Sequence, residues 1–230
     1  MESSKREKLM GMFCRGNEEN KKPATENREQ KAMQSWFVNL GIILESRRIQ
    51  RDLKESVAKL EYLSNRDTLT ELYNRRGLEE FFSGFYSECR KEKTGLAVVL
   101  IDMDDLKKIN DNYGHEEGDY CLKTISGALK EAVGNDEICA RMGGDEFLII
   151  AKNYDRFKAE GLVGLIREKI TDKVAVDGKD YKLHISAGIH VVYPDAENDA
   201  EESAAFEEML KSADALMYIE KRNHKRQSGT

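Results

Sequence analysis

The spacing of hydrophobic residues divides most of the chain into helical and extended segments. Apolar residues that recur every three or four positions predict helices, here over 77–91, 117–133, 155–171 and 203–222. A continuous apolar run from Leu96 to Met103 ends in acidic residues, which is typical of a strand buried on both faces. The chain therefore combines helices and strands.

Two pairs of short apolar runs predict hairpins. Residues 137–142 and 147–151 are joined by Gly143-Gly144, whose glycines permit a tight turn. Residues 174–176 and 181–192 are separated by Asp177-Gly178, a favoured hairpin dipeptide. Hairpins combined with helices indicate an α+β fold in which helices cover a mainly antiparallel sheet.

The N-terminal part differs in composition from the rest. Residues 1–29 are rich in Glu, Lys, Asn and Arg with few large apolar groups, which predicts a poorly ordered tail. Residues 30–66 predict a helical stalk. Its apolar stripe consists of Ile42, Ile49, Leu53, Val57, Leu60 and Leu63. Ser46 and Ser56 interrupt the heptads, so a coiled-coil dimer and a helix packed on its own domain both stay open.

Length and composition allow one domain with an appendage. The 230 residues are 40% hydrophobic and 35% charged, and the charged share is well above the usual ~25%. The net charge of −6 argues against a sequence-independent nucleic-acid binder, which needs a basic face. The longest apolar runs are far shorter than the ~20 residues that cross a bilayer, and residues 1–16 lack a signal-peptide core. We expect no membrane segment, no export and no nucleic-acid partner.

The cysteines indicate a reducing compartment. Cys14, Cys89, Cys121 and Cys139 are scattered, without a CxxC pair or a nearby histidine to complete a zinc site. Cys121 and Cys139 lie in apolar patterns, where a free cysteine usually packs as a small hydrophobe. We therefore expect the protein in the cytoplasm, most simply that of a bacterium.

Acidic residues cluster where two predicted strands meet turns. Alternation along the buried strand places Asp102 and Asp104 on one face and turns the residue between them to the other. Asp145 and Glu146 follow the glycine turn, where two adjacent acids are costly unless a cation binds them. If the hairpin pairs with the buried strand, Asp102 and Asp145 converge. Two carboxylates at a sheet edge suit Mg²⁺ bound together with phosphates.

Basic and polar residues follow the first acidic pair. The alternative to a metal site is an acidic surface with Lys107 and Lys108 as counter-charges. Lys107, Asn110, His115 and Asp119 lie within one short loop and helix. Lysine can neutralise a phosphate, while Asn and Asp can pair with the edge of a base. Each is weak evidence when taken singly, since Asn is also a common helix cap.

Five sequence motifs together resemble the GGDEF domain of bacterial diguanylate cyclases. They occur in the family's order and spacing between about residues 67 and 226, followed by a short tail at 227–230. The motifs are RDTLTELYNRRGL (66–78), IDMDDLKKINDNYGHEEGD (101–119), ARMGGDEF (140–147), ISAGI (185–189) and ADALMYIEKRN (213–223). The resemblance implies a fold like the palm of adenylyl cyclases and polymerases. It also implies the condensation of two GTP into cyclic di-GMP with release of two pyrophosphates.

The resemblance implies a metal site and the residues of the chemistry. Asp102 and Asp145 would hold Mg²⁺, or Mn²⁺ in its place, with the Met103 carbonyl as a third ligand. Asp145 is also the residue that matches the family's proton acceptor, with Glu146 beside it. A carboxylate already on a cation is a poor base, and the metal can itself acidify the attacking 3′-hydroxyl. Lys107 would stabilise charge that builds up on the α-phosphate.

The resemblance also implies how GTP is bound. Asn110 and Asp119 would read the guanine edge, and His115 would lie beside the nucleotide. The phosphates would meet backbone N–H groups and lysines: Asp105, Leu106, Lys107, Lys221 and Lys225. Each domain binds one GTP, so two domains must face each other in a homodimer, and the 30–64 helix is a candidate for holding them together.

Several positions depart from the family pattern. Leu106 replaces the usual Phe, Glu71 replaces Gly, and His224-Lys225 replaces Gly-Arg or Gly-Lys. The family's product-inhibition motif, Arg-x-x-Asp, would begin at Gly134 and end at Glu137, and neither residue matches it. None of these changes removes a predicted metal ligand or base-reading residue. The functional alternative is a catalytically silent domain that binds GTP and acts in signalling or interaction.

Overall fold

The computed structural model describes residues 24–194 and 202–227. The chain divides into two compact units, residues 1–57 and 58–230. Within the described ranges, no helix is long and apolar enough to cross a membrane.

Helix α1, Ala24–Ser64, is the long N-terminal helix that the sequence predicts. It begins six residues before the predicted start of the stalk. Strong helix formers fill this stretch, and no proline interrupts the chain between Pro23 and Pro194. All six residues of the apolar stripe are exposed, from 44% for Val57 to 67% for Leu60. The rest of the predicted tail, residues 1–23, lies outside the described residues.

The second unit contains the sheet and the other helices. The helices are α2 Arg75–Glu92, α3 Leu106–Tyr113, α4 His115–Ala132, α5 Arg156–Val176 and α6 Glu202–Gln227. The strands are β1 Leu96–Met103, β2 Glu137–Gly143, β3 Glu146–Lys152 and β4 Ile185–Val192. The four helices that the periodicity predicts are confirmed, with different ends, and so are the central strand and the first hairpin.

The four strands form one antiparallel sheet in the order β2-β3-β1-β4. Strand β1 lies between β3 and β4, and all eight of its residues are buried, as the apolar run predicts. The odd-numbered residues of β1, such as Val99 and Met103, face a core shared with α4 and α5. The even-numbered ones, such as Val98 and Leu100, face a second core shared with α2 and α6. The domain is thus a sheet between two helical layers.

The second predicted hairpin is wrong. Residues 174–176 form the last turn of α5, and Asp177 caps that helix. Val174 continues a buried helical stripe with Ile166 and Ile170, so a short apolar run was the end of a helix rather than a strand. Gly178 has φ +66°, a conformation that ends helices as well as tight turns. Strand β4 pairs with β1 instead.

The outer edge of β4 is covered by an ion pair. Glu220 of α6 accepts the backbone N–H of Ala187 at 2.5 Å, and Arg167 of α5 donates to the carbonyl of Ile185 at 3.3 Å. Arg167 and Glu220 also bond to each other at 2.7 Å. Side chains therefore satisfy backbone groups that an edge strand otherwise presents to solvent.

Close packing between α6 and β4 depends on Gly188. A methyl group at this position would lie 1.9 Å from the Ala213 carbonyl oxygen and 2.5 Å from the Met217 nitrogen. Both are backbone atoms of α6, which move only if the helix moves. The missing side chain therefore sets how near α6 approaches the sheet.

We predict that Gly188→Ala lowers the free energy of unfolding by about 2–3 kcal/mol, the cost of forcing a methyl into a packed interior. Gly161→Ala is the matched control, because Gly161 is exposed in α5 and nothing lies within 4 Å of its methyl position. That change should raise stability by up to ~1 kcal/mol. Urea unfolding of both variants measures the difference, and equal midpoints would contradict the assigned packing.

Candidate active site

The end of β1 and the start of β3 bring the predicted carboxylates together. Asp102 pairs with Glu146 in the strand register, and the Met103 N–H donates to the Asp145 carbonyl at 3.0 Å. The charges of Asp145 and Asp104 both raise the pKa of Asp102. The convergence of Asp102 and Asp145 that the sequence predicts is therefore confirmed. Met103 turns into the opposite core, as alternation requires.

Asp102 is a buried acid held by one lysine. Its side chain is 7% exposed, and its Oδ1 accepts from Lys221 Nζ of α6 at 2.5 Å. Burial raises the pKa of Asp102 above its usual value, although the bond to Lys221 opposes the rise. Burial by itself would lower the pKa of Lys221, but Asp102 and the neighbouring acids outweigh it and raise that pKa. The site therefore attracts a cation strongly.

Asp104 has a separate set of partners. Its Oδ1 accepts from Ser186 Oγ at 2.8 Å, and its Oδ2 lies 3.0 Å from His224 Nδ1. The same His224 nitrogen lies 3.2 Å from Ser186 Oγ. Two residues of α6, Lys221 and His224, thus cover the two acids at the end of β1. By contrast, Lys108 pairs with Asp105, so it is not the counter-charge of this acidic group.

The glycine turn is fixed from outside by Arg141. Gly143 and Gly144 have φ of +147° and +54°, conformations that favour glycine. The Arg141 guanidinium donates to the Gly144 carbonyl at 2.6 and 3.0 Å. It also pairs with Asp67 at 3.2 Å. The turn that presents Asp145 is thereby tied to the segment before α2.

Asp67 anchors that preceding segment. It accepts from the backbone N–H and the hydroxyl of Thr70. Burial would raise the pKa of Asp67, but hydrogen bonds from Thr70 and Arg141 together lower it, so the carboxylate is charged. Glu71 follows with φ +59°, a left-handed conformation. Glycine adopts this left-handed conformation most easily, which explains why the family that the sequence resembles has glycine at this position.

The start of α3 supplies backbone donors beside the acids. Asp105 adopts φ +60° and begins the helix without a side-chain cap. The first N–H groups of a helix have no partner within it, so those at Asp105 and Leu106 are available to an anion. Lys107 is exposed on the same turn. Backbone donors and a lysine thus lie next to the carboxylates.

The corner between α3 and α4 contains an unsatisfied polar atom. Gly114, with φ +92°, separates the two helices. Asn110 packs against Gly118, where an added methyl would lie 2.0 Å from Asn110 Oδ1. That oxygen is buried and has no hydrogen-bond partner among the residues that the structure describes. A buried acceptor left unpaired is costly, so Asn110 is suited to a ligand that donates. His115 and Asp119 are exposed on the first turns of α4.

The other predicted site residues lie on the rim. Glu146 is exposed beside Asp145, and Lys225 is exposed on the turn of α6 that holds His224. Three residues were missed from the sequence: Arg141, Ser186 and His224. Arg141 and Ser186 lie inside the quoted motifs, and His224 was noted only as a departure. The sequence gives little indication of their roles, because each of these side chains contacts a residue that is distant in sequence.

The donors present fit a hard divalent ion. Two carboxylate oxygens and a backbone carbonyl are the oxygen ligands that Mg²⁺ prefers, and the Lys221 ammonium shows that a cation is stable there. Over residues 24–194 and 202–227, no group of three His, Cys, Asp or Glu side chains forms a metal site by itself.

Comparisons with known sequences agree with these features. A family model described as diguanylate cyclase, GGDEF domain, matches residues 64–227. The cyclic di-GMP phosphodiesterase NbdA of Pseudomonas aeruginosa is 33% identical over 169 residues, covering 74% of this chain and 21% of that protein. Diguanylate cyclase DosC of Escherichia coli is 32% identical over 176 residues, covering 75% and 36%. The chain thus spans between a fifth and just over a third of these relatives.

Solved structures share the fold. The coiled coil and GGDEF domain of DgcB from Caulobacter crescentus, in complex with c-di-GMP, has a TM-score of 0.68 at 20% identity, covering 81% of this chain and 95% of that one. A sensory box/GGDEF family protein from the same species has a TM-score of 0.58 at 30% identity, covering 69% and 99%. Since the family model matches well over half of the sequence, the chain belongs to the GGDEF domain family.

Proposed function

We propose that this chain is a diguanylate cyclase, which condenses two GTP into cyclic di-GMP and releases two pyrophosphates. The observation that carries the proposal is the placement of Asp102 and Asp145 together at the end of β1, beside the N-terminus of α3. Carboxylates for a metal and backbone donors for phosphates are the two elements that nucleotidyl transfer requires.

The metal ligands are proposed to be Asp102, Asp145 and the Met103 carbonyl. When bound there, Mg²⁺, or Mn²⁺ in its place, would acidify the attacking 3′-hydroxyl and offset charge on the α-phosphate. A carboxylate bound to the metal is a poor base, so Asp145 is poorly suited to accept the proton of the 3′-hydroxyl. Glu146, which is exposed next to it, is the second carboxylate available to accept that proton. Lys107 on the first turn of α3 stabilises charge on the phosphate.

The nucleotide is proposed to lie across the start of α3. Backbone N–H groups of Asp105 and Leu106 would bind its phosphates, with Lys107, Lys221 and Lys225 as counter-charges. The base would enter the corner between α3 and α4. There the unpaired Asn110 oxygen accepts from guanine, Asp119 accepts from the same edge, and His115 lies alongside.

Two copies are proposed to act together, because each domain offers one nucleotide site. The 3′-hydroxyl of one GTP must reach the α-phosphate of the other, so the encounter of two half-sites controls the rate. The exposed stripe of α1 is suited to pairing with the same helix of a second copy. Cys89, Cys121 and Cys139 are free and buried, which supports a reducing cytoplasm as the setting.

The central test is Asp145→Asn, which keeps the shape of the side chain and removes a charge that the metal needs. We predict that turnover falls by more than about 100-fold, since even the outer partners of a metal can cost that much. The product is identified by mass after incubation with GTP and Mg²⁺. Asp172→Asn, on an exposed position of α5, is the control and should retain activity. Formation of cyclic di-GMP by a folded Asp145→Asn variant would remove Asp145 from the mechanism. If the wild-type protein binds GTP but forms no product, the result would favour a catalytically silent GTP-binding domain.

Base choice is the second test. A site that hydrogen-bonds a base rejects an analogue that leaves its buried groups unpaired, by factors on the order of 10⁴. We predict that GTP is used and ATP is not, because adenine lacks the N1–H and the N2 amine of guanine, from which Asp119 and the Asn110 oxygen would accept. Asp119→Ala should raise KM for GTP, whereas Asp111→Ala, on an exposed face of α3, should leave it unchanged. Similar rates with GTP and ATP would contradict the assignment.

Product inhibition through the usual motif should be weak. Gly134 provides no guanidinium, and the Glu137 carboxylate already accepts from the Gly134 N–H at 2.6 Å and from the Tyr154 hydroxyl at 2.5 Å. Loss of a buried charged contact costs on the order of 2–5 kcal/mol, which is roughly 30-fold or more in affinity. We predict that added cyclic di-GMP inhibits a Gly134→Arg, Glu137→Asp variant more strongly than the wild type. Strong and equal inhibition of both would point to another inhibitory site.

A further inference from the structure

One ammonium group lies near three carboxylates at the end of β1 and is bonded to one of them, Asp102. Lys221 Nζ lies 2.5 Å from Asp102 Oδ1, and the charges of Asp145 and Asp104 also act on it. Asp102 is almost fully buried, so water screens this pair poorly. One of the two predicted metal ligands, Asp102, is therefore already bonded to an internal cation, and the charge of the other, Asp145, acts on the same cation.

The position of that cation is set by the helix that carries it. One turn after Lys221, His224 contacts Asp104 and Ser186. One turn before it, Met217 packs in the core at Gly188 of β4. Because both neighbouring turns of α6 are held against the sheet, Lys221 reaches Asp102 from a fixed backbone and only its side chain is free to move.

We propose that Lys221 is an internal counter-ion that competes with the divalent metal for Asp102 until nucleotide phosphates draw it away. This inference deepens the proposed function and rests on its metal site. A divalent ion and an ammonium cannot both lie against Asp102 without strong repulsion. A triphosphate beside α3 offers Lys221 other oxygens within reach of its flexible side chain. Metal alone should therefore bind weakly, and metal and nucleotide should bind together.

The experiment measures Mn²⁺ binding to the nucleotide-free protein by the loss of the free-ion EPR signal. Lys221→Met keeps the length of the side chain and removes its charge. It should bind Mn²⁺ roughly tenfold or more tightly than wild type, because repulsion between close cations exceeds that factor even in water. Adding a GTP analogue with a methylene α,β-bridge should tighten Mn²⁺ binding in the wild type and much less in Lys221→Met.

Lys152→Met is the matched control. Lys152 is also a mostly buried lysine in an ion pair, 2.8 Å from Glu88, but it lies at the opposite end of the sheet, where it pairs with Leu96. Its loss should leave Mn²⁺ affinity unchanged. Adding Asp102→Asn to Lys221→Met should abolish the gained affinity, which identifies the site. If Lys221→Met does not fold, Lys221→Gln provides the same comparison.

Equal or weaker Mn²⁺ binding by a folded Lys221→Met or Lys221→Gln protein would overturn the inference. Cyclic di-GMP synthesis by the wild type is measured separately. If the wild type forms cyclic di-GMP and the variant and wild type bind Mn²⁺ with equal affinity, only the counter-ion role of Lys221 is rejected. Tighter metal binding by the variant without any product from the wild type would instead reject the proposed function.

Discussion

Negative charge at the end of a fully buried strand is the constraint on which the rest of this site depends. Strand β1 is covered on both faces, so Asp102 cannot be solvated and needs a cation. The need is met by α6, which packs on the sheet closely enough for Lys221 to reach Asp102. At the proposed metal site, the same burial would make the acid an effective ligand, because water competes poorly there.

Local patterns predict the elements that position the site. Full burial of β1 follows from a continuous apolar run, and alternation correctly places Asp102 and Asp104 on one face. The hairpin that delivers Asp145 follows from two glycines between apolar runs. The wrong second hairpin shows the limit, because a short apolar run such as 174–176 has too few residues to reveal its period.

Contacts made across the sheet were not predictable from such patterns. Lys221 and His224 reach the acids only because α6 packs on β4, and Arg141 reaches Asp67 only because the segment before α2 lies beside β2. Periodicity indicates which face of a helix or strand is buried, but not which polar residue of another element its side chains contact. The unpaired oxygen of Asn110 is likewise visible only once Gly118 is placed beside it.

The ion pair over β4 has a consequence for how copies associate. Open sheet edges invite fusion into a shared sheet when two copies come close together. Arg167 and Glu220 occupy the outward carbonyl of Ile185 and the N–H of Ala187, so a second strand finds those positions taken. The outer edge of β4 is therefore protected at these positions against the addition of a strand from a second copy.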